Sequence, residues 1–203
     1  LLEWVEVAPR KPDYWENFGR RLAAMHGWDT SGLVGNGGFG FLHDNFIGAG
    51  EQINTPRGSW IDFFRDCRLA PMLARADGYL DPTDRKNAEY LLEHLDDFLV
   101  EPEQTSLLHG DLWCGNFITG SDGEAWLIDP AAYVGHAEAD LAMTELFGGF
   151  PAAFYDAYKE ARPLRPGYAE RRDLYNLYHL LNHLNLFGTA YLGSVRQILR
   201  KYR

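Results

Sequence analysis

Only two cysteines, Cys67 and Cys114, occur in 203 residues. They are too few and too far apart for a disulfide framework or a thiolate zinc site, so a reducing cytoplasm is the expected compartment. No apolar run approaches the roughly 20 residues that cross a bilayer, and the first residues lack a basic segment followed by an apolar stretch, so neither a membrane anchor nor a secretory signal is expected. Basic residues are outnumbered: 19 Lys and Arg stand against 29 Asp and Glu, a formal net charge of −10. That balance argues against a nucleic-acid surface, which needs a clustered positive face, and suits small cationic or neutral ligands. No repeat or low-complexity segment interrupts the chain. What it does hold is enough apolar sequence, 46%, to bury the core of one domain or one large lobe.

Hydrophobic spacing predicts a mainly α fold with a small β component. Leu1 to Val7 starts without a methionine and alternates like an extended segment. Tyr14, Trp15, Phe18, Leu22 and Met25 mark an amphipathic helix capped by Asp13 and stopped at Gly27. Gly27 to Gly58 reads as a long loop, uncommon in a compact domain unless it binds something. Its glycine run, Gly35 to Gly40, neither follows a strand nor opens a helix, so a flexible turn is the simpler reading than a phosphate cradle. Ser59 caps a helix through Cys67, with Pro71 kinking it or starting another. A further helix carries Ala88, Leu91, Leu92, Leu95 and Phe98. Short strands are expected at 105–108, 116–119 and 124–128, the last two joined as a hairpin across Gly120-Ser121-Asp122-Gly123. Helices follow at about 137–147, 151–161, 168–187 and 189–202, the third apolar nearly all round and hence buried.

The chemistry concentrates between Leu107 and Pro130. Asp111 and Asn116 stand in an Asp-x-x-x-x-Asn spacing, which a kinase catalytic loop uses to set a base beside a metal ligand, and Asp129 follows as a second ligand. Phosphoryl transfer needs a carboxylate near the attacking hydroxyl and hard oxygen ligands for Mg²⁺. The plain structural alternative is that Asp111 caps a turn and Asn116 sits in a left-handed bend.

Three stretches together resemble the fructosamine kinase (ketosamine-3-kinase) family: H-G-D-L-W-C-G-N-F from His109, L-I-D-P-A-A-Y-V-G-H-A-E-A-D-L-A-M-T-E-L-F-G-G-F from Leu127, and L-Y-N-L-Y-H-L-L-N-H-L-N-L-F-G from Leu174. The resemblance implies a protein-kinase-like fold related to aminoglycoside and choline phosphotransferases. It also implies ATP- and Mg²⁺-dependent phosphorylation of the 3-hydroxyl of a ketosamine, such as a glycated lysine, in deglycation repair. By position Asp111 matches the family's catalytic base, Asn116 and Asp129 its magnesium ligands, and Asp140, with His109, the support of the catalytic loop. Trp113 and His136, with Asp44 and Asn45 of a G-F-x-x-D-N-like loop, resemble the substrate side. Residues 1–8 resemble the hinge strand, with adenine expected against the backbone of Glu3, Trp4 and Val5, and residues 9–203 the helical C-terminal catalytic lobe. A lobe without the phosphate loop and lysine that precede such a hinge would bind ATP poorly by itself.

Other readings stay open at this point. An aminoglycoside- or choline-type phosphotransferase would use the same base and metal ligands, and a non-catalytic kinase-like binding module would keep the shape alone. Cys114 with His109 raises thiol nucleophile chemistry, but nothing supplies its third group or oxyanion donors. His179 and His183 share a helical face as zinc ligands do, yet the glutamate of H-E-x-x-H is missing.

Overall fold

The computed structural model describes residues 4–35 and 38–203. In chain order these form α1 (Tyr14–His26), β1 (Asn45–Ile47), β2 (Gly50–Gln52), α2 (Trp60–Phe64), a π-helical turn (Arg65–Leu69), α3 (Ala70–Ala76), α4 (Pro82–Glu93), α5 (Leu95–Phe98), β3 (Ser106–Leu108), β4 (Phe117–Thr119), β5 (Ala125–Leu127), β6 (Tyr133–Gly135), α6 (Ala137–Leu146), α7 (Ala152–Ala161), α8 (Tyr168–Phe187) and α9 (Leu192–Lys201). The strands make antiparallel pairs β1–β2, β3–β6 and β4–β5. The expected hairpin across residues 120–123 is the β4–β5 pair.

Side-chain caps mark the starts of α2, α4 and α6. Ser59 Oγ accepts from the Asp62 N–H, and Asp81 and Asp84 form a reciprocal capping box at α4. Asp13 differs from expectation: its side chain makes no cap bond. Pro71 does not break its helix. It has no N–H to give the Cys67 carbonyl four residues back, and the backbone widens into the π turn just before it. The buried Arg68 guanidinium donates to that carbonyl at 2.9 Å.

Two apolar clusters hold these elements. In the first, α8 gives Leu174, Leu177, Leu181 and Leu184 to Trp60, Phe63 and Phe64 of α2 and to Val195 and Leu199 of α9. In the second, Tyr14, Phe18 and Leu22 of α1 meet Phe150, Phe154 and Tyr158. Each such side chain contributes about 1.5–3 kcal/mol by leaving water. α1 and α7 touch at Gly19, where a Cβ would lie 2.3 Å from the Phe154 carbonyl oxygen. Among the described residues no helix is long and apolar enough to cross a membrane.

Three features depart from the sequence expectation. The long loop contains the β1–β2 hairpin, the segment after Pro130 forms β6 before α6, and the helix expected to run through Phe98 breaks at His94. Over residues 4–8, expected as extended, no strand forms, although the Ala8 N–H donates to the Thr119 carbonyl.

Candidate active site

The loop after β3 is held from behind. The Asp140 carboxylate, buried on α6, accepts the His109 N–H at 2.7 Å and the Gly110 N–H at 2.8 Å, while His26 Nε2 lies 3.1 Å from the same group. Burial would raise the Asp140 pKa, but the His26 bond and these donors outweigh it and hold the carboxyl below its usual range. Both ring nitrogens of His109 are engaged: Nδ1 accepts the Asp111 N–H and Nε2 donates to the Ile128 carbonyl. His109 is therefore not free to activate the exposed thiol of Cys114.

Gly110 is required by two independent facts. Its φ is 82°, and an added Cβ would stand 2.1 Å from the Ala131 carbonyl oxygen. Gly110→Ala is expected to cost more than the roughly 1–2 kcal/mol of the left-handed backbone alone, because the overlap adds to it. A drop in urea midpoint at unchanged m-value checks this; an unchanged midpoint would contradict the loop geometry.

Asp111 follows, partly buried, and Asn116 Nδ2 donates both to its carbonyl at 2.8 Å and to its Oδ2 at 3.0 Å. With Nδ2 committed, no donor among the described residues reaches Asn116 Oδ1. The Ile128 N–H donates to the Asn116 carbonyl, bringing Asp129 alongside. Asp129 is exposed and, alone among described non-glycine residues, has a left-handed backbone, with φ 50°. Such a conformation before a proline is strained and marks a position held for a reason beyond packing. Burial raises the Asp111 pKa, opposed by the His109 ring and the Asn116 bond.

Behind Asp111 stands His179, its Nδ1 3.8 Å from Asp111 Oδ1 and without a hydrogen-bond partner among the described residues. Burial pushes the pKa of His179 down to about 3 and that of His136 to about 4, from 6.5. The unfolded chain takes up these two protons as pH falls below 6.5, whereas the folded chain does not. Their contribution is therefore complete above about pH 6.5 and fades toward pH 4, by about 2 kcal/mol for each histidine at about pH 5. Urea unfolding at about pH 7.5 and pH 5 measures it; equal stability at both would contradict neutral buried rings.

The other expected site residues divide. Trp113 packs edge-on against Phe147 beside the loop, with ring centroids 6.1 Å apart. Asn45 is half-buried and Asp44 exposed, and both bond to protein groups of their own loop. Asn45 Nδ2 donates to the Ala132 carbonyl and its Oδ1 accepts from Gln52 and Asn54, while Asp44 Oδ1 accepts the Asn54 N–H. Asn45 thereby braces the stretch after Asp129. His136 is not brought to Asp111: it follows β6, whose Gly135 pairs with Ser106 at the end of β3 away from the loop, and its Nδ1 caps α6 by accepting the Glu138 N–H. His136, expected on the substrate side, thus stands apart from the Asp111 loop. Of the hinge residues, Trp4 is exposed and Val5 half-buried, and Glu3 lies outside the described residues.

A polar brace, not expected from the sequence, lies behind the loop. Arg68, fully buried between the rings of Phe63 and Tyr133, donates to the Ile53 carbonyl and to Asn54 Oδ1. Gln52 Nε2 donates to the Ala131 carbonyl, and the Tyr178 hydroxyl donates to Gln52 Oε1. These groups tie the π turn, α8 and the β1–β2 hairpin to the Asp129 loop. Polar residues in a presumed loop gave no periodic signal of burial.

The profile of the fructosamine kinase family matches residues 1–203. The chain belongs to the fructosamine kinase family. It is 44% identical over 206 residues to a probable ketoamine kinase of Synechocystis sp., covering 99% of this chain and 66% of that protein. It is 40% identical over 207 residues to a chloroplastic protein-ribulosamine 3-kinase of Arabidopsis thaliana, covering all of this chain and 61% of that one. A crystal structure assigned as a fructosamine-3-kinase of Thermobifida fusca superposes with a TM-score of 0.88 at 41% identity, covering 98% of this chain and 68% of that one. In fold alone, the likeness of this fructosamine kinase family member extends to an aminoglycoside phosphotransferase, with a TM-score of 0.51 at 20% identity, over 95% of this chain and 65% of that one. The architecture is thus that of the protein-kinase-like phosphotransferases. The chain spans about three fifths to two thirds of the length of the curated relatives it matches.

Proposed function

We propose that this chain carries the acceptor and metal side of an ATP-dependent ketosamine kinase, which transfers the γ-phosphate to a sugar hydroxyl of a fructosamine or ribulosamine. The observation that carries the reading is the Asp111–Asn116 pair on a loop suspended from Asp140, with the strained Asp129 beside it. Residues 9–203 act as the C-terminal catalytic lobe, and residues 1–8 as the hinge beside which adenine lies.

Asp111 orients the acceptor hydroxyl and takes its proton as the oxygen attacks. Its burial-raised pKa makes it a better base than an exposed aspartate, while the Asn116 bond fixes its rotamer. Asn116 Oδ1 and the Asp129 carboxylate are the two hard oxygens that would hold Mg²⁺. Among the described residues no three His, Cys, Asp or Glu side chains cluster into a cage, and two protein oxygens suit an ion that takes its other ligands from water and phosphate. When bound, Mg²⁺ neutralises charge developing on the transferred phosphoryl group. His109 and Asp140 hold the loop and touch no substrate. Trp113 borders the sugar.

A substrate panel tests the reading. Fructosyl- and ribulosyl-lysine should accept phosphate from Mg·ATP. Turnover of a hydroxylated amine drug or choline instead would favour the related phosphotransferases, and binding without turnover of anything would favour a non-catalytic module.

A further inference from the structure

A cavity of about 650 Å³ opens on the side of the molecule away from Asp111, where the start of α6 meets the segment after α7. His136, Ala137 and Glu138 form one wall, Arg162 and Arg165 another, and Glu103 also lines it. Four observations give it a chemical character. His136 is 5% exposed, and because its Nδ1 accepts the Glu138 N–H, the proton of the neutral ring sits on Nε2. Among the described residues that Nε2–H has no acceptor: the nearer Glu138 oxygen is 3.9 Å away. Glu138 is already neutralised, its two carboxylate oxygens taking Arg171 Nη2 at 2.6 Å and Nε at 2.8 Å. Among the described residues the Arg162 guanidinium gives two bonds, to the His26 carbonyl and to Ser106 Oγ, leaving donors unspent.

A buried donor without a protein partner calls for an acceptor from solvent or a ligand. Here that donor sits with two guanidinium groups and the N-terminal turn of a ten-residue helix, whose N–H groups and dipole also favour negative charge. The apolar part of the wall, including Leu164 and Tyr158, suits a compact carbon body. We propose that this cavity is a second ligand site, separate from the catalytic mouth, that binds the oxyanion of a small carboxylated or phosphorylated molecule through His136 Nε2–H, Arg162 and Arg165. The site abuts both supports of the 109–111 loop: α6, which carries Asp140, and Arg162, which donates to the His26 carbonyl and to Ser106.

Titration of the metal-free protein with inorganic phosphate and, separately, acetate tests this, read by ¹H–¹⁵N NMR at the His136 imidazole and the Ala137 amide. The expected result is a saturable shift at both positions with at least one anion. Saturation by phosphate alone assigns a phosphorylated ligand, and saturation by acetate assigns a carboxylate. Arg165 is exposed, so Arg165→Gln keeps the fold, and it should weaken the binding about tenfold or more, as loss of a charge-assisted contact does. No saturable shift with either anion at millimolar concentration, or unchanged affinity in Arg165→Gln, would overturn the site.

Discussion

Asp111→Asn should reduce phosphate transfer by about 10²–10⁴-fold, the range a positioned general base supplies, while leaving the melting temperature within a few degrees of wild type. The two halves of this result have separate causes. Asparagine is nearly isosteric, and its amide oxygen can still accept from Asn116 Nδ2, so the loop keeps its bonds. The side chain can no longer take a proton. Turnover within a few-fold of wild type would remove Asp111 from its role, and a large fall in melting temperature would make it structural instead. Mg·ATP should bind the variant about as well as wild type, because Asn116 and Asp129 are untouched.

The largest loss of stability should follow Asp140→Ala. The alanine strands two buried loop N–H groups, His109 and Gly110, and leaves the fully buried His26 ring without its carboxylate. Breaking such a buried, hydrogen-bonded pair costs about 3–5 kcal/mol. For a chain of this size that is a fall of roughly 10 °C in melting temperature. Turnover should fall as well, since the loop that orients Asp111 loses its anchor. Asp140→Asn offers a finer comparison: it keeps the volume, but one amide N–H₂ must oppose an incoming N–H or the His26 ring. Calorimetry on both variants measures the effect, and a melting temperature unchanged by Asp140→Ala would contradict the suspended-loop description.

Sequence reading located the helices because their caps and apolar spacing are local. Ser59, the Asp81–Asp84 box and the Gly27 stop are each visible within a few residues. The β4–β5 hairpin was visible for the same reason, its turn residues being adjacent in sequence. What was not visible depends on distant partners. β6 is three residues that become a strand because Ser106 to Leu108 lie opposite them, and the π turn before Pro71 is completed by a side-chain donor. The brace of Arg68, Gln52 and Asn54 is polar, so no hydrophobic period announces its burial.

The site divides in the same way. Spacing suggested Asp111 and Asn116 together, and family resemblance added Asp140, whose bonds to the loop no spacing rule could supply. His136 lies in the same motif as Asp140 but belongs to the far end of the β3–β6 ladder, because antiparallel pairing carries Gly135 away from the loop. Asn45 has the polarity of a ligand-binding residue, yet Gln52, Asn54 and the Ala132 carbonyl use most of its hydrogen-bonding capacity, whereas the exposed Asp44 accepts the Asn54 N–H.

The most direct test of the central claim is to map the product. Protein expressed from its complete coding sequence would be incubated with Mg·ATP and fructosyl- or ribulosyl-lysine, and the phosphorylated carbon assigned by ³¹P–¹H correlation. The account predicts a phosphate ester on the 3-hydroxyl, formed only with divalent metal and not by Asp111→Asn. A protein that phosphorylates no ketosamine, or an Asp111→Asn variant that forms the same ester at the wild-type rate, would contradict it.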